Sequence, residues 1–408
     1  MTGGLYARVD QAAVASLLAL TLVLPGIVGG PTPFVIDVVA LIALIWVVGT
    51  GRAAMLFATL AARLFLAAVL CLVILFAITA ETPLDLSFII NFVPLVLFAP
   101  MVVLLGTEAG TAGAQRVARL SLLGAAIVAL VAFLLAVVLQ LYRADAGLFS
   151  PITLTNTAMM LGFIAIGGIW HDTGRRRWIY LLGPVFGVAC AILTGSRGPL
   201  LAVLPLGLIA ALFLARQLRV RASLALAALA VATVVLLAVM QLFPERIGSM
   251  IELILGVLRG EETLDKATAT RLDLYQAGLH AFADSPIIGH GWAELMSATR
   301  QYLSPVYALD VLPQIHNDLL NFLVAAGVIG AAVYLVIVAT PLAGAFASPR
   351  DSQRSFRLYA TSVILIAYLF DGLTDIMIGF EFHTTYISAL AAIVLGYCRD
   401  PAPNPAAT

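Results

Sequence analysis

Long uninterrupted apolar stretches run through most of this 408-residue chain. Its residues are 62% hydrophobic and only 11% charged, with a mean hydropathy of +1.06. Many of the stretches approach the roughly 20 residues that a helix needs to cross a bilayer. They are continuous, whereas the strands of a membrane β-barrel alternate apolar and polar residues. The sequence therefore predicts an all-α polytopic membrane protein.

The apolar runs predict about twelve transmembrane helices. They lie at about 12–29, 34–49, 56–79, 86–105, 118–142, 152–170, 178–194, 199–215, 222–243, 317–340, 357–378 and 382–398. With the N-terminus inside, the inner loops and helix ends hold fourteen arginines, and the short outer loops hold only Arg143 and Arg197. Basic residues in short loops favour the cytoplasmic side, so we expect both termini to be cytoplasmic.

One long outer loop divides the helices. Helices one to nine fall in 1–243, the loop in 244–316, and helices ten to twelve with a short cytoplasmic tail in 317–408, all as one integrated domain. Apolar residues at helical spacing predict a short amphipathic helix at 251–258 and another at 270–286. Thr270 and Asp273 form a possible capping pair for the second. We expect no disulfide or metal cluster, because the three cysteines lie in or at the end of apolar runs.

The stretch "TGSRGPL", 194–200, places Arg197 where a helix begins at the outer face. Pro199 fits the first helical position. Free backbone N–H groups, the positive end of the helix dipole and the guanidinium together suit an anion, and phosphate in particular. The alternative is an interfacial arginine that reaches lipid headgroups.

The stretch "PQIHNDLL", 313–320, places His316 at a second outer helix start, with Asn317 or Asp318 as a cap. A helix N-terminus disfavours an imidazolium, and a neutral imidazole can act as a general base. The alternative is a polar residue that merely closes the helix end.

Acidic residues gather near a third outer end. Asp371 and Asp375 are four apart, so they would share a helical face, and Glu381 and His383 follow. A structural counter-charge for an arginine is the competing interpretation. Asp37 and Arg63 also fall within apolar runs, where bundle ion pairs are the common use.

The order of three motifs resembles the O-antigen ligase and polymerase superfamily of bacterial envelope glycosyltransferases. "TGSRGPL" comes first, then the long outer loop with "TRLDLYQAGLHAFADSPIIGHGW", then "PQIHNDLLNFLVAAGVIGAAVYL". The resemblance implies a GT-C-like membrane fold in the bacterial inner membrane with a periplasmic active site. It also implies transfer of O-antigen glycan from undecaprenyl diphosphate to a sugar hydroxyl of lipid A–core, without metal, nucleotide or other cofactor, and with inversion.

Residue roles follow from that resemblance. It implies that Arg197 and Arg271 hold the diphosphate and that His316 is the catalytic base. Asn317 would give support, as would an outer acidic residue, for which Asp371 or Asp375 is a loose match.

Related activities stay open. An O-antigen or exopolysaccharide polymerase and a protein O-oligosaccharyltransferase belong to the same superfamily. A lipid-linked glycan transporter is a different class, but transporters usually place polar sites near the midplane of related halves. The sequence contains no P-loop, GxSxG or HExxH motif.

Overall fold

The computed structural model describes residues 2–141, 150–240, 266–306 and 313–401, and these form helices and their connections. The helices are α1 (Thr2–Leu22), α2 (Pro25–Val28), α3 (Thr32–Gly49), α4 (Leu60–Thr79), α5 (Val93–Leu105), α6 (Gly113–Phe133), α7 (Pro151–Ala165), α8 (Leu182–Thr194), α9 (Val203–Gln217), α10 (Ala222–Met240), α11 (Lys266–Asp284), α12 (Leu295–Arg300), α13 (Asp318–Ala347), α14 (Arg354–Asp371) and α15 (Glu381–Ala392). Short 3-10 or π segments precede α5, α8 and α9 and follow α6, α7 and α15. Arg143 and the predicted helix at 251–258 lie outside the described residues.

Eight of the helical stretches in the described residues are long and apolar enough to cross a membrane. The prediction of a polytopic helical membrane protein is therefore confirmed. Each of the twelve predicted segments contains a helix, but α1, α10, α14 and α15 are not among those eight. A count of twelve spans and the orientation of the bundle stay predictions.

Several boundaries differ from the predicted ones. The first helix spans Thr2–Leu22, not about 12–29, because Pro25 starts a separate turn after it. The penultimate helix ends at Asp371, seven residues before the predicted end, and a turn follows it. The helix that contains Arg271 begins at Lys266, so Thr270 lies inside it, and Asp273 instead accepts hydrogen bonds from the backbone and hydroxyl of Ser304.

Two helices form much of the interior of the bundle. All of α15 after Glu381 is buried, and so is almost all of α5, which packs against it. Helix α5 is apolar on every side, which is typical of such a central position, whereas α15 also buries His383 and several hydroxyl groups. In contrast, α3 and α10 expose large apolar side chains, as expected for surfaces that face lipid.

Helix α13 is broken at Gly327, which has φ 63° and ψ −159°. The loop 285–292 fills the break: the backbone N–H groups of His290 and Gly291 donate to Val324 and Ala325, and Val328 donates to Pro286. These bonds satisfy backbone groups that an unbroken helix would pair internally. The segment between α11 and α13 is thus joined to the helix that begins beside His316.

Candidate active site

His316 and Asp375 form a direct contact at one end of the bundle. Nδ1 of His316 lies 3.1 Å from Oδ1 of Asp375, and the two side chains are 26% and 15% exposed. The histidine precedes α13, and the aspartate follows the turn that ends α14. Both groups are therefore partly screened from water but still accessible to a substrate.

Gln314 completes this cluster. Its Nε2 donates to the same Asp375 oxygen at 3.3 Å and lies 3.4 Å from Nδ1 of His316. A bond from Nδ1–H to a carboxylate is shorter and stronger than one from an amide to the ring. We therefore assign the proton to Nδ1, which leaves Nε2 of the imidazole with its lone pair as the proton acceptor.

The backbone of His316 adopts the left-handed conformation, with φ 57°. This conformation is uncommon for a residue with a side chain and is held only where its surroundings require it. The Tyr275 hydroxyl supplies one such restraint, because it lies 3.0 Å from the carbonyl oxygen of His316 and 2.9 Å from that of Leu373. One phenol on α11 thus links the histidine segment to the aspartate turn.

Asn317, one of the two predicted caps, caps α13 and also binds the turn after α14. Its side-chain oxygen accepts a bond from the Leu320 backbone, and its amide donates to the Leu373 carbonyl. Asp318 does not cap the helix: its fully buried carboxylate accepts backbone bonds from Met377 and Ile378. The two residues therefore hold the segment after α14 on both sides of Asp375.

Arg271 lies on α11 one turn before Tyr275, so the two share a helical face. The guanidinium is close enough to act electrostatically on the phenol, although burial has the larger effect and raises the pKa of Tyr275. The hydroxyl consequently stays protonated and remains a donor at neutral pH. Arg271 forms no ion pair with another described residue, and its charge acts on the Tyr275 phenol.

Arg197 belongs to a segment that packs near the turn after α14. It immediately precedes a 3-10 turn, Gly198–Ala202, which packs against α14 and leads into α9. A Cβ atom on Gly198 would overlap the Thr374 hydroxyl, so the absence of a side chain allows this close approach. Thr374 is the neighbour of Asp375 in the chain. The structure therefore brings the "SRG" loop next to the His316–Asp375 pair.

The O-antigen ligase family model matches residues 182–335. The match supports membership of the chain in the O-antigen ligase and polymerase superfamily. No curated protein matches the chain closely enough to refine this assignment. Arg197, Arg271, His316 and Asn317 lie inside the matched O-antigen ligase region, while Asp371 and Asp375 lie beyond its end.

The two candidate aspartates behave differently in the structure. The turn after α14 carries Asp375 to His316, whereas Asp371 is buried and both its carboxylate oxygens lack hydrogen-bond partners among the described residues. Helix α14 ends at Asp371, and a hydrogen-bonded turn, in which the Asp375 N–H donates to the Asp371 carbonyl, leads on to Asp375. Asp375 is accordingly the better match to the acidic residue that the resemblance implies.

Among the described residues, the other polar candidates form no hydrogen bond with this pair. His383 is buried among aromatic rings, and Glu381 is exposed at the start of α15. Asp37 accepts a bond from the Thr385 hydroxyl instead of forming the bundle ion pair suggested by its position. Arg63 is exposed near the start of α4.

Sequence reasoning missed two members of the cluster, Tyr275 and Gln314. Tyr275 is four residues after Arg271, so helical spacing already placed the two on one face. Gln314 lies two residues before His316 in an irregular segment. Nothing in its local pattern indicates that it would reach a side chain 61 positions away.

Proposed function

We propose that the protein is a bacterial O-antigen ligase. It would move glycan from undecaprenyl diphosphate to a sugar hydroxyl of lipid A–core at the periplasmic face of the inner membrane. The O-antigen ligase match supports the reaction class. The His316–Asp375 contact at 3.1 Å is the observation that carries the mechanism.

His316 would serve as the general base. Its Nε2 takes the proton of the acceptor hydroxyl as that oxygen attacks the anomeric carbon of the donor sugar. The bond between this carbon and the diphosphate oxygen breaks, and the electron pair leaves with the diphosphate. Attack opposite the leaving group inverts the anomeric centre. The products are a new glycosidic bond, undecaprenyl diphosphate and a protonated imidazole, which Asp375 stabilises.

Arg197 and Arg271 would bind the diphosphate. The leaving group gains negative charge as the carbon–oxygen bond lengthens, so fixed positive charge nearby lowers the barrier. The packing of Gly198 against Thr374 and the position of Arg271 one turn from Tyr275 support a location of both arginines near the base. In this scheme the chemistry uses side chains of the protein, with no metal or nucleotide.

The long outer segment would cover the glycan while the lipid tail remains among the helices. The loop 285–292 is fixed in the break of α13, and Trp292 packs on Phe92 and Phe322. This attachment supports a fixed position of the covering segment beside the site, against which a large glycan would be held.

Deletion of the gene in its own bacterium, followed by gel electrophoresis of lipopolysaccharide, tests the ligase assignment. We expect core without O-chain and long glycan retained on the lipid carrier. Core that carries a single repeat unit would indicate a polymerase instead. Normal lipopolysaccharide with a missing glycoprotein would indicate a protein O-oligosaccharyltransferase. Loss of outward movement of the lipid-linked donor would indicate a transporter.

A further inference from the structure

A cavity with a mainly apolar lining and four polar residues lies at the same end of the bundle, and neither His316 nor Asp375 lines it. Its volume is about 200 Å³, and it is lined by the segment before α3, by the first turns of α7 and by residues 380–382. A cavity of about 150 Å³ already accommodates a benzene ring. The space therefore suits a single six-membered ring with substituents.

The lining carries hydroxyl groups that the fold leaves unused. Thr157 is only 2% exposed, and its hydroxyl has no hydrogen-bond partner among the described residues. Ser150 stands at the N-cap position of α7, yet its side chain does not cap the helix. Thr153 lines the cavity between them. A buried polar atom without a partner costs free energy, which a ligand hydrogen bond would recover once the Thr157 side chain turns towards the cavity.

Carboxylates add hydrogen-bond acceptors at this place. Glu381 lines the cavity. Asp37, one turn along α3 from the lining residue Pro33, interacts electrostatically with Glu381, and its buried Oδ1 lacks a hydrogen-bond partner. Two carboxylates close together favour a ligand rich in O–H or N–H donors. They disfavour phosphate, so this cavity differs in chemistry from the arginine region.

Aromatic side chains complete the lining. Phe380 is 44% exposed, while Phe382 is almost fully buried. Apolar ring faces beside carboxylate and hydroxyl groups match a pyranose, which has C–H faces and a rim of hydroxyl donors. A purely apolar ligand would leave the Thr157 hydroxyl and the carboxylate of Glu381 unpaired.

From these groups we propose that the cavity is a saccharide subsite that binds one pyranose ring of a glycan substrate. The inference rests on the proposed function, which supplies the glycan. Binding here would hold the sugar chain at a second point, away from the reacting bond. Such a contact raises the affinity for substrate and leaves the rate of the chemical step unchanged.

The test measures binding of methyl glucoside, methyl galactoside and methyl N-acetylglucosaminide by saturation-transfer NMR. The full-length protein is used in nanodiscs. At least one probe is expected to bind with millimolar affinity. Glu381→Gln is expected to weaken that binding about tenfold and Thr157→Val about fivefold. Thr153→Phe, which fills the cavity, should abolish it. Glu81→Gln, an exposed glutamate elsewhere at this end of the bundle, is the matched control and should have no effect.

Three outcomes would overturn the inference: no probe binds, the cavity variants bind like Glu81→Gln, or phosphoethanolamine competes fully with the sugars. The result is separable from the proposed function, because His316→Ala should lose transfer and keep probe binding. In transfer assays the two polar variants should raise KM for glycan and leave kcat unchanged. Transfer by the wild-type protein without probe binding would contradict the subsite alone. Probe binding without transfer would contradict the ligase alone.

Discussion

Nδ1 of His316 lies 3.1 Å from Oδ1 of Asp375, although 59 positions separate the two residues in the chain. The contact joins the start of α13 to the turn after α14. It holds Nδ1 of the ring and leaves Nε2 as the candidate proton acceptor. A catalytic base needs this kind of support, because its orientation and tautomer both affect the rate.

Asp375→Asn should lower kcat by about 10²–10⁴-fold, with a small change in KM for the donor. The asparagine amide can donate to Nδ1, which would favour the unproductive tautomer and remove the charge that stabilises the imidazolium. Steady-state glycan transfer in nanodiscs measures both constants. Gln314→Ala keeps the carboxylate and should stay within about tenfold of wild type. An Asp375→Asn protein with wild-type kcat would rule out this role.

Tyr275→Phe should lower both stability and kcat. It removes the hydroxyl that contacts the carbonyl oxygens of His316 and Leu373, at a cost of about 1 kcal/mol in the free energy of unfolding. Thermal unfolding in detergent and the transfer assay give the two readouts. Tyr302→Phe is the matched control, because that hydroxyl binds Asp284 on the exposed surface. Equal behaviour of the two variants would contradict a positioning role for Tyr275.

Burial raises the pKa of Tyr275 above its usual value of 10.0. A raised pKa means that folding favours the neutral phenol. Its stabilising effect is therefore complete below the unfolded pKa and is lost as pH rises through the folded pKa. Ultraviolet titration of wild type, with the Tyr275→Phe signal subtracted, isolates this group. Phenolate should form at higher pH in the folded protein than in the unfolded one, and formation at the unfolded pKa or lower would refute the buried environment.

Arg197→Ala and Arg271→Ala should each weaken binding of the lipid-linked donor by about 10–100-fold. Lysine at either position should restore part of the affinity, because it keeps the charge but lacks the forked geometry. Donor affinity can be measured with undecaprenyl diphosphate in nanodiscs. Arg216→Ala, in the last turn of α9, serves as the control and should bind normally. If both alanine variants bind the donor normally, neither arginine binds the diphosphate.

Gly327→Ala should destabilise the protein by more than about 2 kcal/mol. Its φ of 63° is unfavourable for alanine, and a Cβ atom would overlap the carbonyl of Ile287. Gly49→Ala, at the end of α3, has open space around the added methyl group and should unfold like wild type. Fluorescence-detected size-exclusion chromatography after heating compares the two. Similar melting temperatures would show that the broken helix does not restrain the outer segment.

The sequence predicted much of the helical architecture, because apolar runs of membrane-spanning length have few alternatives to a helix. Arg197 and His316 were also recognisable, since each is polar and precedes an apolar run that a helix start explains. The capping role of Asn317 followed from local chemistry alone, because a cap bonds within its own helical turn.

The features that the sequence did not predict depend on contacts between segments that are distant in the chain. The choice of Asp375 over Asp371 requires α14 to end at Asp371, and the turn that follows is held by Asn317 and Asp318 from another helix. The break in α13 at Gly327 could not be predicted from the local sequence either, because the hydrogen-bond partners of the broken backbone come from the loop 285–292. Local propensity does not contain such information.

The most direct measurement is single-turnover glycan transfer by purified His316→Ala in proteoliposomes. Undecaprenyl diphosphate-linked glycan serves as donor and lipid A–core as acceptor. His280→Ala, an exposed histidine on α11, is the matched control. His316→Ala should bind the donor normally and transfer glycan at least about 10²-fold more slowly, while His280→Ala should be unaffected. Transfer by His316→Ala at the wild-type rate would show that His316 is not the catalytic base.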